Sequence, residues 1–257
     1  MSAVFYLPTG PEVDVFKHSH QARLPFMLKG PTGSGKTRFV EYMAEKLGLG
    51  LVTVSCNEDT SATDLLGRYL IKGGETVWVD GPIVRAMRTG SILYLDEIAE
   101  ARPDAIVVIH SLTDHRRELF LDRTGETLKA PDSFMVVVSY NPDYQRSMRE
   151  LKQSTRQRFV GISFNYPSTE VETEIVSKES MLDIKLSRSL VSLATKIRTL
   201  KDLSLMETVS TRLLVSAGKL ISEGVSPRLA CKVAIVQPLT DDQDATSALN
   251  TLVELSM

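Results

Sequence analysis

Short, continuous apolar runs alternate along this chain with longer stretches in which apolar residues recur every three or four positions. The runs predict strands at 25–30, 51–55, 91–95, 134–139 and 160–165. Ser91-Ile92-Leu93-Tyr94-Leu95 and Phe134-Met135-Val136-Val137-Val138 carry almost no alternation, which is what a sheet buried on both faces demands. The intervening spacing is helical. Phe39, Val40, Met43, Ala44 and Leu47 share one face, and Gly48 ends that helix. Strands alternating with helices predict an α/β fold with a mainly parallel five-stranded sheet in a three-layer core. Two segments break the alternation. Residues 68–80 place Tyr69, Ile71, Val77 and Val79 around Gly73-Gly74, a hairpin pattern. Residues 119–129 repeat it, with Leu119-Phe120-Leu121 turning at Thr124-Gly125-Glu126. From about residue 182 only helical spacing remains. Leu213, Leu214, Ala217, Leu220 and Ile221 form one face, with Ser210 as N-cap and Gly224 as stop. A boundary near Tyr166-Pro167-Ser168 divides an α/β core (1–167) from a helical C-terminal region (168–257).

Composition narrows the function classes. The length of 257 residues and 42% apolar content suit one α/β core with a small appendage. A net charge of −2 argues against a surface devoted to nucleic acid. No run of eighteen apolar residues offers a membrane span, and Met1-Ser2-Ala3-Val4-Phe5 lacks the charged and apolar regions of a signal peptide, so a cytoplasmic location is expected. Cys56 and Cys231 lie far apart, outside any C-x-x-C, and are expected to be reduced and buried. The four histidines lack zinc-site spacing.

Candidate chemistry begins between the first strand and its helix. Gly30-Pro31-Thr32-Gly33-Ser34-Gly35-Lys36-Thr37 matches the phosphate-binding pattern G-x-x-x-x-G-K-[ST] in full. Glycines allow the backbone N–H groups to curl around phosphate oxygens, and the following helix points its positive end at them. Lys36 can reach the β- and γ-phosphates, and the Thr37 hydroxyl can ligate Mg²⁺. The strand 91–95 then runs into Asp96-Glu97. Ligands bind at the carboxyl ends of strands in such sheets. Asp96 is suited to hold Mg²⁺, and Glu97 to act as base for an attacking water. The combination predicts a hydrolytic nucleoside triphosphatase that uses Mg²⁺. Asn141, ending strand 134–139, either orients that water or merely starts the turn before Pro142. Arg156 and Arg158, in Ser154-Thr155-Arg156-Gln157-Arg158-Phe159, are either functional or a solvated basic patch.

The order of these motifs, followed by Arg212 in the helical region, resembles an AAA+ ATPase, and the two hairpins resemble the added elements of its MoxR branch. Leu66-Gly67-Arg68-Tyr69-Leu70, Gly74-Glu75-Thr76-Val77-Trp78, Val138-Ser139-Tyr140-Asn141-Pro142, Val209-Ser210-Thr211-Arg212-Leu213-Leu214 and Pro238-Leu239-Thr240-Asp241-Asp242 are similar to the CbbQ/NirQ/NorQ subfamily, with CbbQ the member most resembled. The resemblance runs from about Phe16 to Asp242 and implies a helical lid at the C-terminus. It implies that Asn141 is sensor 1 and that Arg212 is sensor 2, reaching the bound nucleotide. It implies that Arg158, or its rival Arg156, is an arginine finger completing a neighbour's site, and hence a homo-hexameric ring. The hairpin at 68–80 then either faces the ring's pore, with Tyr69, Leu70, Ile71 and Trp78 touching a client, or packs on its own domain. The resemblance also implies a remodelling ATPase that works with a von Willebrand factor A-domain adaptor on a metabolic enzyme, with no nucleic acid or membrane partner. Rubisco activation, by release of inhibitory sugar phosphates, is the favoured expectation. Maturation of nitric oxide reductase is the alternative. A DNA-handling AAA+ protein is disfavoured by the lack of a Gly-Ala-Phe-Thr-Gly-Ala loop and of a basic face, and a non-hydrolysing scaffold by the presence of Glu97.

Overall fold

A computed structural model describes residues 4–142, 151–200 and 207–257; Met1–Ala3, the first residues of the N-terminal stretch, lie outside them. The chain divides into two compact units. One comprises Met1–Gly30 and Lys36–Phe164, the other Pro31–Gly35 and Asn165–Met257. The division falls just before the expected boundary, and it groups the short loop 31–35 with the helices. The reason is local: a Cβ built on Gly33 would stand 2.6 Å from the Cβ of Ser210.

In the first unit, α1 (Glu12–Gln21) precedes β1 (Phe26–Lys29), and α2 (Lys36–Leu47) leads to β2 (Leu51–Ser55). A short α3 (Ala62–Leu66) opens into the hairpin β3 (Gly67–Lys72) and β4 (Glu75–Asp80), followed by α4 (Pro82–Thr89) and β5 (Ile92–Asp96). Then come α5 (Pro103–Leu112), the hairpin β6 (Glu118–Leu121) and β7 (Glu126–Lys129), β8 (Met135–Tyr140), α6 (Gln153–Arg156) and β9 (Val160–Ser163). The five predicted strands form one sheet in the order β2-β5-β8-β1-β9, with parallel pairing throughout. Register pairs Leu95 with Val138 and Lys29 with Tyr140, so the carboxyl ends of β5, β8 and β1 finish together. That alignment brings Asp96, Asn141 and Gly30 to one edge.

The sheet separates two cores. Phe16, Phe26, Phe39, Val40, Tyr94 and Val137 pack on one face, where Phe16 meets Phe26 at 5.0 Å and Phe39 at 5.4 Å. Ile83, Met87, Leu93, Leu95, Val136 and Val138 belong to the other. Burial of each such side chain contributes about 1.5–3 kcal/mol, which is why continuous apolar runs encode central strands. Both inserted hairpins form as expected. Gly73 and Gly74 take φ of 60° and 87°, the pair a tight hairpin turn needs. The Tyr69 hydroxyl donates to the Arg123 carbonyl (3.0 Å), and Arg88 bridges Asp80 (2.8 Å) and Glu126 (2.6 Å), which ties the two hairpins together.

The second unit is helical: α7 (Thr169–Ser180), α8 (Ile184–Thr199), α9 (Thr211–Ser222), α10 (Pro227–Cys231), a π-helical turn (Lys232–Val236), α11 (Gln237–Leu239) and α12 (Gln243–Ser256). The Ser210 hydroxyl accepts from the Leu213 N–H and caps α9, as its position predicts. Val176, Leu190, Leu193, Leu214, Ile235 and Leu249 are among the residues of its own core. Among the described residues no helix is long and apolar enough to cross a membrane.

Candidate nucleotide site

Strand β5 delivers its final residue, Asp96, into a ring of hydroxyls. The Tyr94 O–H donates to Asp96 Oδ1 at 2.7 Å, and the Ser139 O–H makes a short bond to the same oxygen. The Thr37 O–H, from the first turn of α2, donates to Oδ2 at 3.1 Å. Tyr94 lies two residues before Asp96, so period-2 geometry places both on one face of the sheet. Ser139 comes from the adjacent strand β8. Burial, and then the Asp96 charge, raises the Tyr94 phenol above its ordinary pKa, so it remains a donor. Thr37 and Asp96 together present a hydroxyl and a carboxylate at one place, a set of hard oxygen donors that fits Mg²⁺.

Glu97 leaves the strand in a left-handed conformation, φ 52° and ψ 48°. For a residue with a side chain that backbone costs on the order of 1–3 kcal/mol and is concentrated at functional sites. Its N–H donates to Ser139 Oγ at 3.1 Å, so one hydroxyl fixes both acids. Burial raises the Glu97 carboxyl above its ordinary pKa; nearby Lys36 opposes this, Asp96 adds to it, and the Asn141 backbone N–H opposes it. Cys56, after β2, donates its N–H to the Asp96 carbonyl (2.9 Å). Burial, then Asp96 and Glu97, push its thiol up to about 12, so it remains an uncharged SH group. Cys231 is likewise free and buried.

The phosphate-loop residues are spread over both units. Gly30 donates to the Tyr140 carbonyl (3.2 Å), and its carbonyl accepts from Lys36 Nζ (2.8 Å). A Cβ on Gly30 would fall 2.2 Å from the Phe164 carbonyl oxygen, so no other residue fits there. In the helical unit, the Ser34 O–H donates to the Pro31 carbonyl (2.8 Å) and the Thr32 O–H to Glu207 Oε1 (2.9 Å). Gly33 and Gly35 hold φ of 69° and 93°, a left-handed backbone that glycine adopts without strain.

Two family models account for most of the chain. The AAA domain of the dynein-related subfamily matches residues 25–159, and the CbbQ/NirQ/NorQ C-terminal model matches 172–256. NorQ from Paracoccus denitrificans is 54% identical over 98% of this chain and 93% of its own length. The denitrification regulatory protein NirQ from Pseudomonas aeruginosa is 53% identical, covering 98% and 96%, and CbbQ from Hydrogenophilus thermoluteolus 51%, covering 98% and 95%. Two RuvB variants from Thermotoga maritima share the fold, at TM-scores of 0.58 and 0.57 and 12% identity, over 95% and 94% of this chain and 71% and 68% of theirs. The chain belongs to the CbbQ/NirQ/NorQ family of AAA+ ATPases.

The remaining residues that family resemblance singles out have distinct settings. Asn141 follows β8 directly and is buried at the same strand edge as Glu97. Arg156 ends α6 and Arg158 follows it; both are exposed. Arg158 makes one long bond, 3.4 Å, to the His110 carbonyl, and neither arginine forms an ion pair among the described residues. His110 itself approaches Thr155 Oγ1 at 2.9 Å; burial first, then Arg158 and Lys152, lower its pKa. Arg212 is exposed in the first turn of α9, with its Cβ 3.5 Å from the position a Gly33 Cβ would take. On the first hairpin, Trp78 is half-buried: its Nε1–H donates to Asp80 (2.7 Å) and its ring meets Tyr69 edge-on at 5.2 Å, while Ile71 is 80% exposed.

Motif spacing did not single out Tyr94 and Ser139. A signal for Ser139 exists: it is the first hydroxyl to interrupt the apolar run that begins at Phe134.

Proposed function

We propose that this AAA+ protein hydrolyses ATP to remodel a client enzyme, acting as a ring with a von Willebrand factor A-domain adaptor. The observation that carries hydrolysis is the adjacency at one strand end of Asp96, held by three hydroxyls, and Glu97, half-buried with a raised pKa. Lys36 and the loop Gly30–Gly35 bind the triphosphate of the substrate. Thr37 and Asp96 would hold Mg²⁺, which would supply charge neutralisation on the phosphate oxygens. Glu97 accepts a proton from the attacking water at its carboxylate; a raised pKa makes it a stronger base near neutrality. Asn141 orients that water, Arg212 senses the nucleotide, and Arg158, with Arg156 as rival, reaches the site of the next subunit. Phosphoryl transfer needs positioning and charge more than covalent help, so supplying one arginine across an interface couples turnover to assembly.

For the client we favour Rubisco, on the overall resemblance to CbbQ. An inhibitory sugar phosphate bound at nanomolar affinity holds about 12 kcal/mol and leaves slowly. Remodelling of the client's active site by ATP bypasses that wait. The near-equal identities to NirQ and NorQ, 53% and 54% against 51% for CbbQ, keep nitric oxide reductase as the second reading. Phosphate release by the purified chain tests hydrolysis; its absence in the presence of adaptor and Mg²⁺ overturns it. Client assignment is tested by restoring carboxylation to inhibited Rubisco with chain, adaptor and ATP. No recovery, together with dependence of nitric oxide reductase maturation on this chain, selects the second reading.

A further inference from the structure

Within the helical unit a buried acid is gripped from two directions. Glu172 on α7 is 1% exposed. Arg198, near the end of α8, donates to both its oxygens, at 2.7 and 2.8 Å, and the Thr211 O–H donates to Oε1 at 2.6 Å. The same guanidinium donates through Nε to the Val209 carbonyl (2.8 Å) and lies 4.1 Å over the Tyr166 ring. The Tyr166 O–H then donates to the carbonyl of Thr32, in the phosphate loop, at 3.2 Å. Burial pushes that phenol up to about 12, so it remains a donor at neutral pH. Val209 is therefore fixed by Arg198 and Thr211 by Glu172. Between them Ser210 caps α9 and abuts Gly33. The next residue is Arg212.

A buried ion pair is a poor device for stability alone, since apolar side chains of equal volume often serve as well or better. A planar, bidentate fork is well suited to setting position. We propose that Arg198, with Glu172 and Tyr166, is a positioning group that fastens Thr32 of the phosphate loop to the backbone segment carrying Arg212. The loop's conformation and the placement of Arg212 then change together. This rests on the ATP reading of the site.

The test is a double-mutant cycle on the full chain, read as the affinity for a fluorescent ATP analogue with Mg²⁺. Arg198→Lys and Tyr166→Phe should each weaken binding roughly 5- to 20-fold, within the usual range of coupling between sites. In an Arg212→Ala background each should change affinity less than about twofold, because coupled residues are non-additive. A full, additive loss in that background overturns the inference. So does a fall in melting temperature with affinity unchanged, the result expected of a purely structural pair. Tyr166→Phe deletes one hydroxyl and carries the test if Arg198→Lys does not fold. Failure of the wild-type chain to bind the analogue overturns the ATP reading itself, and is seen before any variant is compared.

Discussion

Two sets of charges in the α/β unit are built in opposite ways. Asp96 and Glu97 sit half-buried at a strand end; Asp96 takes hydroxyls from Tyr94, Ser139 and Thr37, and the Glu97 N–H is held by Ser139. Arg156 and Arg158 sit on the surface around the end of α6, and among the described residues a 3.4 Å bond from Arg158 to the His110 carbonyl is the nearest thing to a tether. The difference is physical. A buried carboxylate must be hydrogen-bonded or it destabilises the fold. An exposed arginine costs little when left unpaired, because surface ion pairs contribute about 0–1 kcal/mol. The acids are organised by neighbouring hydroxyls, whereas the arginines are exposed and form no ion pair among the described residues. The proposed completion of the site by a second subunit would draw on arginines of this exposed kind.

The sharpest way to break the comparison is at Glu97. Glu97→Gln is expected to lower turnover up to ~10⁴-fold, the upper range for losing a general base, while ATP binding persists; Lys36→Ala should instead abolish binding. Near wild-type turnover by Glu97→Gln in a phosphate-release assay removes Glu97 from the mechanism. Next comes Arg158→Ala, expected to cost ~10³-fold, the lower end for a missing arginine finger, without changing the melting temperature appreciably. Mixing Arg158→Ala with Glu97→Gln subunits should restore part of the activity, since some interfaces then pair an intact base with an intact arginine. No recovery at any ratio, in rings shown to exchange subunits, moves the role to Arg156 or removes it.

Smaller effects probe how Asp96 is held. Tyr94→Phe deletes one of three donors and should cost about 1 kcal/mol of stability, together with about tenfold or more in Mg²⁺ affinity, as for other groups that orient a metal ligand. Unchanged Mg²⁺ dependence would mean that Thr37 and Ser139 suffice. The smallest effect is on pH. Glu97 must be deprotonated to act and its carboxyl is raised, so activity is retained above the raised pKa and lost as pH falls through it. The acid limb of the kcat profile should therefore lie above the ordinary glutamate value of about 4.3. A limb at or below that value contradicts the burial-driven shift.

Much of the α/β unit is legible in the order of its residues. The strands at 26–29, 51–55, 92–96, 135–140 and 160–163 coincide with apolar runs, because a parallel sheet covered on both faces leaves few polar positions within its central strands. The hairpins are legible from turn glycines and alternation. The phosphate loop is legible because its backbone demands glycine at fixed spacing: at Gly30 the Phe164 carbonyl leaves no room for a Cβ.

What the sequence determined by itself were the features written in neighbouring residues: strand runs, helix caps, the loop, and two acids ending a strand. The tertiary structure decided which distant residues complete them. Pairing of β5 with β8 brings Ser139 to Asp96 across 43 positions, and the same hydroxyl holds the N–H of left-handed Glu97. Packing of α7 against α8 and α9 carries Glu172 to Arg198 across 26 positions and to Thr211 across 39. Local spacing records periodicity and backbone need. It does not record partners chosen by strand order and helix packing, because a polar residue reads the same in sequence whether its partner is water or a buried side chain far along the chain.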